Sequence, residues 1–221
     1  MILQKKLYQA AIALLVLVSP VMAQDIRSRA EELKIWREQC SDSDGDLRQA
    51  YIEEALATND VAIARICIRS SLESTDADIR NLGLRASLTA VDRLLFIVEP
   101  SAKLKDPLAR SERERDALKD VTRTPEMKMW NAFEKGIVFV VDQADVTRGT
   151  STWFPLVGLT EPHAGIKGEA TIVGDNITWV GDVYSIGACI MPLRIAEGDA
   201  QLTGTIKCGT AEPFPVTAQL L

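Results

Sequence analysis

The chain has 221 residues, with 25 Lys and Arg against 31 Asp and Glu and a single histidine. An acidic chain without a basic cluster is a poor partner for nucleic acid, whose binding rests on neutralising phosphates, and for anionic membrane surfaces. One histidine and four cysteines without ligand spacing argue against a zinc site, and no cofactor is expected.

Residues 1–23 have the order of a secretory leader: Lys5 and Lys6, the apolar run from Leu7 to Val18, then Val21-Met22-Ala23 with small residues where a signal peptidase reads. A run of 12 residues is too short to span a hydrocarbon core of about 30 Å. Cleavage after Ala23 removes two lysines and no acid, so the 198 residues that remain carry 23 basic and 31 acidic side chains, a net charge of −8. No second hydrophobic span follows. The expected location is periplasmic or secreted, with no membrane span in the mature chain.

From Asp44 to Val91 one pattern occurs three times at a spacing of 16: DGDLRQAYIEEALATN, DVAIARICIRSSLEST, DADIRNLGLRASLTAV. Each unit opens on Asp (Asp44, Asp60, Asp76), preceded by Ser43, Asn59 or Thr75, all side chains that accept from the free amides of a helix's first turn. Ser43 with Asp46, and Thr75 with Asp78, echo a capping box. Leu47, Ile63 and Ile79 come at matching places, followed by Ala50, Ile66 and Leu82, and the units close on Ile52/Leu56, Ile68/Leu72 and Leu84/Leu88. Such spacings give a broad apolar face on each helix, and short loops make neighbours antiparallel. Trp36 and Cys40 align with Ile52 and Leu56, which extends the pattern backward. The array resembles HEAT-like helical hairpins, an architecture that presents extended surfaces to protein partners.

Between Glu99 and Pro125 the chain turns polar, and Ala109 to Val121 reads as a charged connector helix with Leu108, Leu118 and Val121 as a thin apolar stripe. Eleven of the 13 glycines lie at or beyond Gly136, where the hydrophobic period shortens to two. Ile137 to Val141 reads as a strand covered on both faces. Gly174-Asp175-Asn176 and Gly198-Asp199 read as hairpin turns, and Phe214 to Leu220 as a last strand. The expected fold class is therefore α+β: an N-terminal antiparallel helical array, HEAT-like, and a small C-terminal antiparallel β sandwich or barrel. The expected boundaries are a leader over 1–23, a helical repeat domain over 24–104, a connector helix and linker over 105–130, and a β domain over 131–221.

The cysteines fall two in each half, and four allow three connectivities. A two-residue turn at Gly198-Asp199 sets Cys189 opposite Cys208, close enough for a bridge. Cys67 lies on the inward stripe of its helix and Cys40 takes a leucine's place in the preceding pattern, so Cys40–Cys67 is the second expected bond.

Asp42, Asp44, Asp46 and Glu53 occupy positions 1, 3, 5 and 12 of a calcium loop, but Leu47 stands where its glycine is needed. No metal is expected there. His163, in TEPHAG, could act as a base only beside a partner such as Glu161 or Asp182. Asp175 and Asp182 are the weak candidates for a carboxylate-based hydrolase. Trp153, Phe154, Trp179 and Tyr184 would stack on a glycan if exposed and form a core if buried. No nucleophile motif stands out, so the expected function is non-enzymatic: protein interaction or adaptor work, with Arg48, Arg69 and Arg85 on the exposed face of the repeat. Glycan or cell-wall binding through Trp153, Trp179 and Tyr184 is the alternative.

Overall fold

Three aspartates at matching positions start three helices. Asp44 accepts from the amides of Asp46 and Leu47 at 3.0 and 3.3 Å, Asp60 from Ala62 and Ile63 at 2.9 and 3.2 Å, and Asp76 from Asp78 and Ile79 at 2.9 and 3.3 Å. The cap is Asp itself, one residue later than the capping boxes expected from Ser43 and Thr75. The computed structural model describes residues 19–220 except 115, 135, 146 and 197–199. The expected leader up to residue 18 and the Gly198-Asp199 turn lie outside the described residues.

Among the described residues there are six helices and eight strands, in two units, Met1–Cys67 and Ile68–Leu221. The first unit holds helix α1 (Ser19–Gln39), α2 (Gly45–Ala57) and the start of α3 (Val61–Leu72). Here α1 packs on α2, and the Cys40–Cys67 disulfide sits fully enclosed with Ile52, Ala55 and Ile63 among the buried residues. The Arg29 guanidinium reaches Asp60 at 2.7 Å. The Ile63 amide and then this guanidinium hold the Asp60 carboxyl below its ordinary range.

In the second unit α3 runs out and α4 (Ala77–Ala90) crosses it, with Gly83 against Ser71. Strand β1 (Arg93–Val98) follows, then α5 (Ala102–Ser111) and α6 (Pro125–Phe133). The remaining strands are β2 (Ile137–Asp145), β3 (Thr150–Pro155), β4 (Gly168–Val173), β5 (Asn176–Val183), β6 (Gly187–Ile195), β7 (Gln201–Cys208) and β8 (Phe214–Gln219). Each strand pairs antiparallel with the next, and β1 pairs with β8 through Phe96–Ala218, Ile97–Thr217 and Val98–Val216. The sheet is a closed up-and-down barrel of eight strands. A barrel of that size has an interior just wide enough for side chains to fill.

The barrel corrects three expectations. A β sandwich is excluded, because β1 and β8 leave no open edge. The barrel starts at Arg93, inside the segment assigned to the helical repeat, since the run RLLFIV alternates exposed and buried along a strand. The helices of the HEAT-like repeat form, but their expected apolar positions are not all inward. Leu47 and Ala50 are exposed instead of lying on an inward face, and α4 turns its apolar side toward the barrel. Its Arg80 lies 3.9 Å from Asp175 in the β4–β5 turn, and Arg85 lies beside Gly149 before β3. The expected connector helix is displaced too: α5 ends at Ser111, and residues 116–123 are turns.

A Cβ placed on Gly83 would lie 2.5 Å from the Ser71 Cβ. Ala for Gly inside a helix ordinarily stabilises by about 0.5–1 kcal/mol. Here the crowding reverses the sign, and urea denaturation of Gly83→Ala should show a loss of about 1–3 kcal/mol. A gain would mean that the two helices do not meet at this point.

Candidate functional site

The interior of the barrel is the first place to look for a ligand, and aromatic rings occupy it. Phe96, Phe139, Trp153 and Trp179 are all fully buried and meet with ring centroids 5.0 to 6.3 Å apart. The Trp153 indole N–H donates to Ser151 Oγ at 3.1 Å. Trp179 lies over Gly168 and Gly181, which face each other across β4 and β5; a Cβ on either would stand 2.5 to 2.7 Å from the indole. The wall is thinned there for the larger ring. Both tryptophans proposed as sugar platforms are therefore core, and of that trio only Tyr184 is exposed.

Helices lie over both ends. At the end where β1 begins, α4 reaches the β2–β3 and β4–β5 turns through Arg85 and Arg80. At the other, α5 and α6 are tied to the β7–β8 turn by the buried carboxylate of Glu126, only 3% exposed. Lys103 Nζ lies 3.0 Å from one Glu126 oxygen, and the Glu212 amide donates to the other at 3.3 Å. Glu212 in turn accepts from the Lys103 amide at 3.1 Å, in the first turn of α5. Burial pushes the Glu126 carboxyl upward, but its own amide, Lys103, the Glu212 amide and Thr124 outweigh that and hold it below the ordinary range.

Next to this tie lies a cavity of about 350 Å³. Arg123, Thr124 and Lys128 line it from the start of α6, Ile186 from the β5–β6 turn, and Cys208 and Thr210 from the end of β7. The described residues that line it include two cations and no carboxylate. Cys208 is bonded to Cys189, directly opposite it on β6. A second hollow, about 720 Å³, lies at Asp145, Arg148, Thr150, Thr152 and Glu169. Two of the three charged groups among its described residues face each other, since Asp145 pairs with Arg148 through both the guanidinium, at 3.6 Å, and the amide, at 2.9 Å, which leaves no free cation among them beside Glu169.

The outer wall carries the third feature. Outward positions of β1, β2 and β3 align Leu95 with Val138, and Val140 with Phe154, while Leu156 continues the row by donating its amide to Val138 at 2.8 Å. Ile97 stands two residues from Leu95 on the same face. Leu95 is 55% and Ile97 64% exposed, and the others are half-buried. The chain matches no family model, no curated protein and no solved structure.

The remaining sequence candidates scatter. Arg69 is exposed, whereas Arg48 and Arg85 are half-buried with their Nε atoms inaccessible. His163 is exposed and its Nδ1 accepts from the Gly165 amide at 3.1 Å, which closes its own loop. Asp175 and Asp182 stand at opposite ends of β5, separated by about 20 Å of strand. A hydrolytic carboxylate pair needs about 5–9.5 Å, so these two do not make one. Among the described residues, no group of three or more His, Cys, Asp or Glu could hold a metal ion, and no helix is long and apolar enough to cross a membrane. Sequence reading missed Glu126, because acidic residues at a helix start are ordinarily exposed. Its signal is the Thr124-Pro125-Glu126 start of an apolar helix, which places the carboxylate on the first turn.

A carboxyl held low in the folded state contributes stability above its unfolded value, about 4.3, and loses it as the pH falls through the folded value. Glu126→Gln should therefore be less stable than the parent at neutral pH by about 1–3 kcal/mol. The gap should narrow on acidification below about pH 4. Thermal melts across this range check both; a gap that is constant with pH would contradict an ionised Glu126.

Proposed function

We propose that this is an exported protein that works by binding another protein, and that the outer wall of β1, β2 and β3 is its docking face. Its two disulfides suit an oxidising compartment, as does the leader-like order of residues 1–23. The single observation that carries the reading is the apolar row on the outside of the barrel, with Leu95 and Ile97 more than half exposed beside Val138, Val140, Phe154 and Leu156. Large apolar side chains that line up on an outer surface mark places where another surface docks. Burying one of them is worth about 1.5–3 kcal/mol, so a few suffice for specific association.

The partner fitted to such a face is a protein segment with apolar side chains of its own. A glycan platform of Trp153, Trp179 and Tyr184 would need all three rings exposed, and Trp153 and Trp179 are enclosed.

A photo-crosslinking residue at Ile97 in exporting cells should give a discrete protein adduct, and the same residue at Arg194, on β6, should not. Leu95→Asp should cut the Ile97 adduct at least tenfold, equivalent to about 1.4 kcal/mol, with an unchanged melting temperature. An adduct of twice the chain's mass would identify the partner as a second copy. Equal labelling from both positions, or none from Ile97, would overturn the docking face.

A further inference from the structure

The two disulfides sit in different surroundings. Cys40 and Cys67 have no exposed surface, whereas Cys189 and Cys208 each keep 4%. Cys208 forms part of the wall of the cavity at the start of α6, together with Arg123 and Lys128. Glu126, the nearest acid along α6, does not neutralise that pair of cations, because its carboxylate is committed to Lys103 and the Glu212 amide. In a chain of net charge −6, this leaves a cationic recess with the nearly buried Cys208 in its wall.

Thiol–disulfide exchange needs access of a thiolate to one sulfur and stabilisation of the thiolate that departs. Positive charge beside a cysteine favours the thiolate form, and an anionic attacking thiol is drawn by the same charges. We propose that Cys189–Cys208 is an exchangeable disulfide, opened through this recess by a small anionic thiol of the glutathione class. The incoming thiolate attacks Cys208 Sγ, a new S–S bond forms, and the Cys208–Cys189 bond breaks with its electron pair going to Cys189 Sγ, which takes up a proton. A second thiolate then attacks the sulfur of the bound thiol, releases the small disulfide, and leaves Cys208 as a thiolate. Two thiols are oxidised and one protein disulfide is reduced.

The backbone survives this step. Cys189 and Cys208 face each other in the β6–β7 ladder, with Ile190 opposite Lys207 beside them and the pairing resuming at Leu193–Gly204 beyond Pro192, so those pairs still join the two strands without the sulfur link. The change stays at the mouth of the barrel, beside the tie between α6 and the β7–β8 turn.

The test is a time course of the folded full chain with reduced glutathione at neutral pH, quenched by alkylation and resolved by peptide mapping. Cys189–Cys208 should open at least tenfold faster than Cys40–Cys67. The double variant Arg123→Ala, Lys128→Ala should slow opening by glutathione at least about threefold at low salt. It should leave opening by cysteamine, a cationic thiol, unchanged or faster. Alkylated Cys189 with glutathione on Cys208 is the expected trapped species. Equal rates for the two disulfides, or equal slowing with both thiols, would overturn the proposal, and so would glutathione trapped on Cys189 instead.

Discussion

The pairing of β1 with β8 is the constraint on which the rest of the barrel depends. It joins Phe96 to Ala218 across nearly the whole second unit, with two helices and six strands between. Closing so long a loop costs entropy before any contact repays it, although the cost grows only slowly with length. What repays it is the aromatic centre. Phe96, delivered by β1, packs edge-on against Phe139 at 5.5 Å and also meets Trp153 at 6.3 Å. Without β1 that cluster would be open on one side, and β2 and β8 would be bare edges inviting association with other chains.

Closure also decides where function can reside. With the interior filled by side chains, a ligand must bind on the outer wall, in an end hollow or on the helical unit. The two ends of the barrel differ in kind. At the α4 end, two arginines reach toward the barrel turns. At the α5–α6 end, the buried Glu126 carboxylate, paired with the exposed Lys103, and the Glu212 amide hold the helices. The cationic recess beside Cys208 belongs to that second end. Removing Lys103 leaves the buried Glu126 carboxylate under-compensated, and protonating that carboxylate weakens the tie as the pH falls.

Local features of this fold were legible in the sequence, and non-local ones were not. The Gly174-Asp175 turn sets Val173 against Asn176, and the register implied by Gly198-Asp199 does set Cys189 against Cys208. Both disulfides follow from patterns within a few tens of residues. The 16-residue spacing located three helices through their Asp caps, yet it carried no information about which surface their apolar faces would meet. Leu94 to Val98 is a continuous apolar run directly after a helix, so its strand character appears only once β2 and β8 flank it. Trp153 and Trp179 each stand between a threonine and an apolar residue, Phe154 or Val180, so the sequence does not say which face is inward, and the closed barrel makes the tryptophans core. Arg85 likewise sits at a repeat position that looks solvent-facing until the barrel is placed beside it.

Closure can be measured amide by amide. Residue-resolved hydrogen exchange under native conditions compares β1 and β8 with β5 and β6, which lie within the barrel wall whatever happens at the β1–β8 seam. In a closed barrel the amides bonded across that seam exchange only through global unfolding, with the same protection as those of β5 and β6. Exchange of the seam amides by a separate local opening, orders of magnitude faster than β5 and β6, would contradict closure and with it the enclosed aromatic centre.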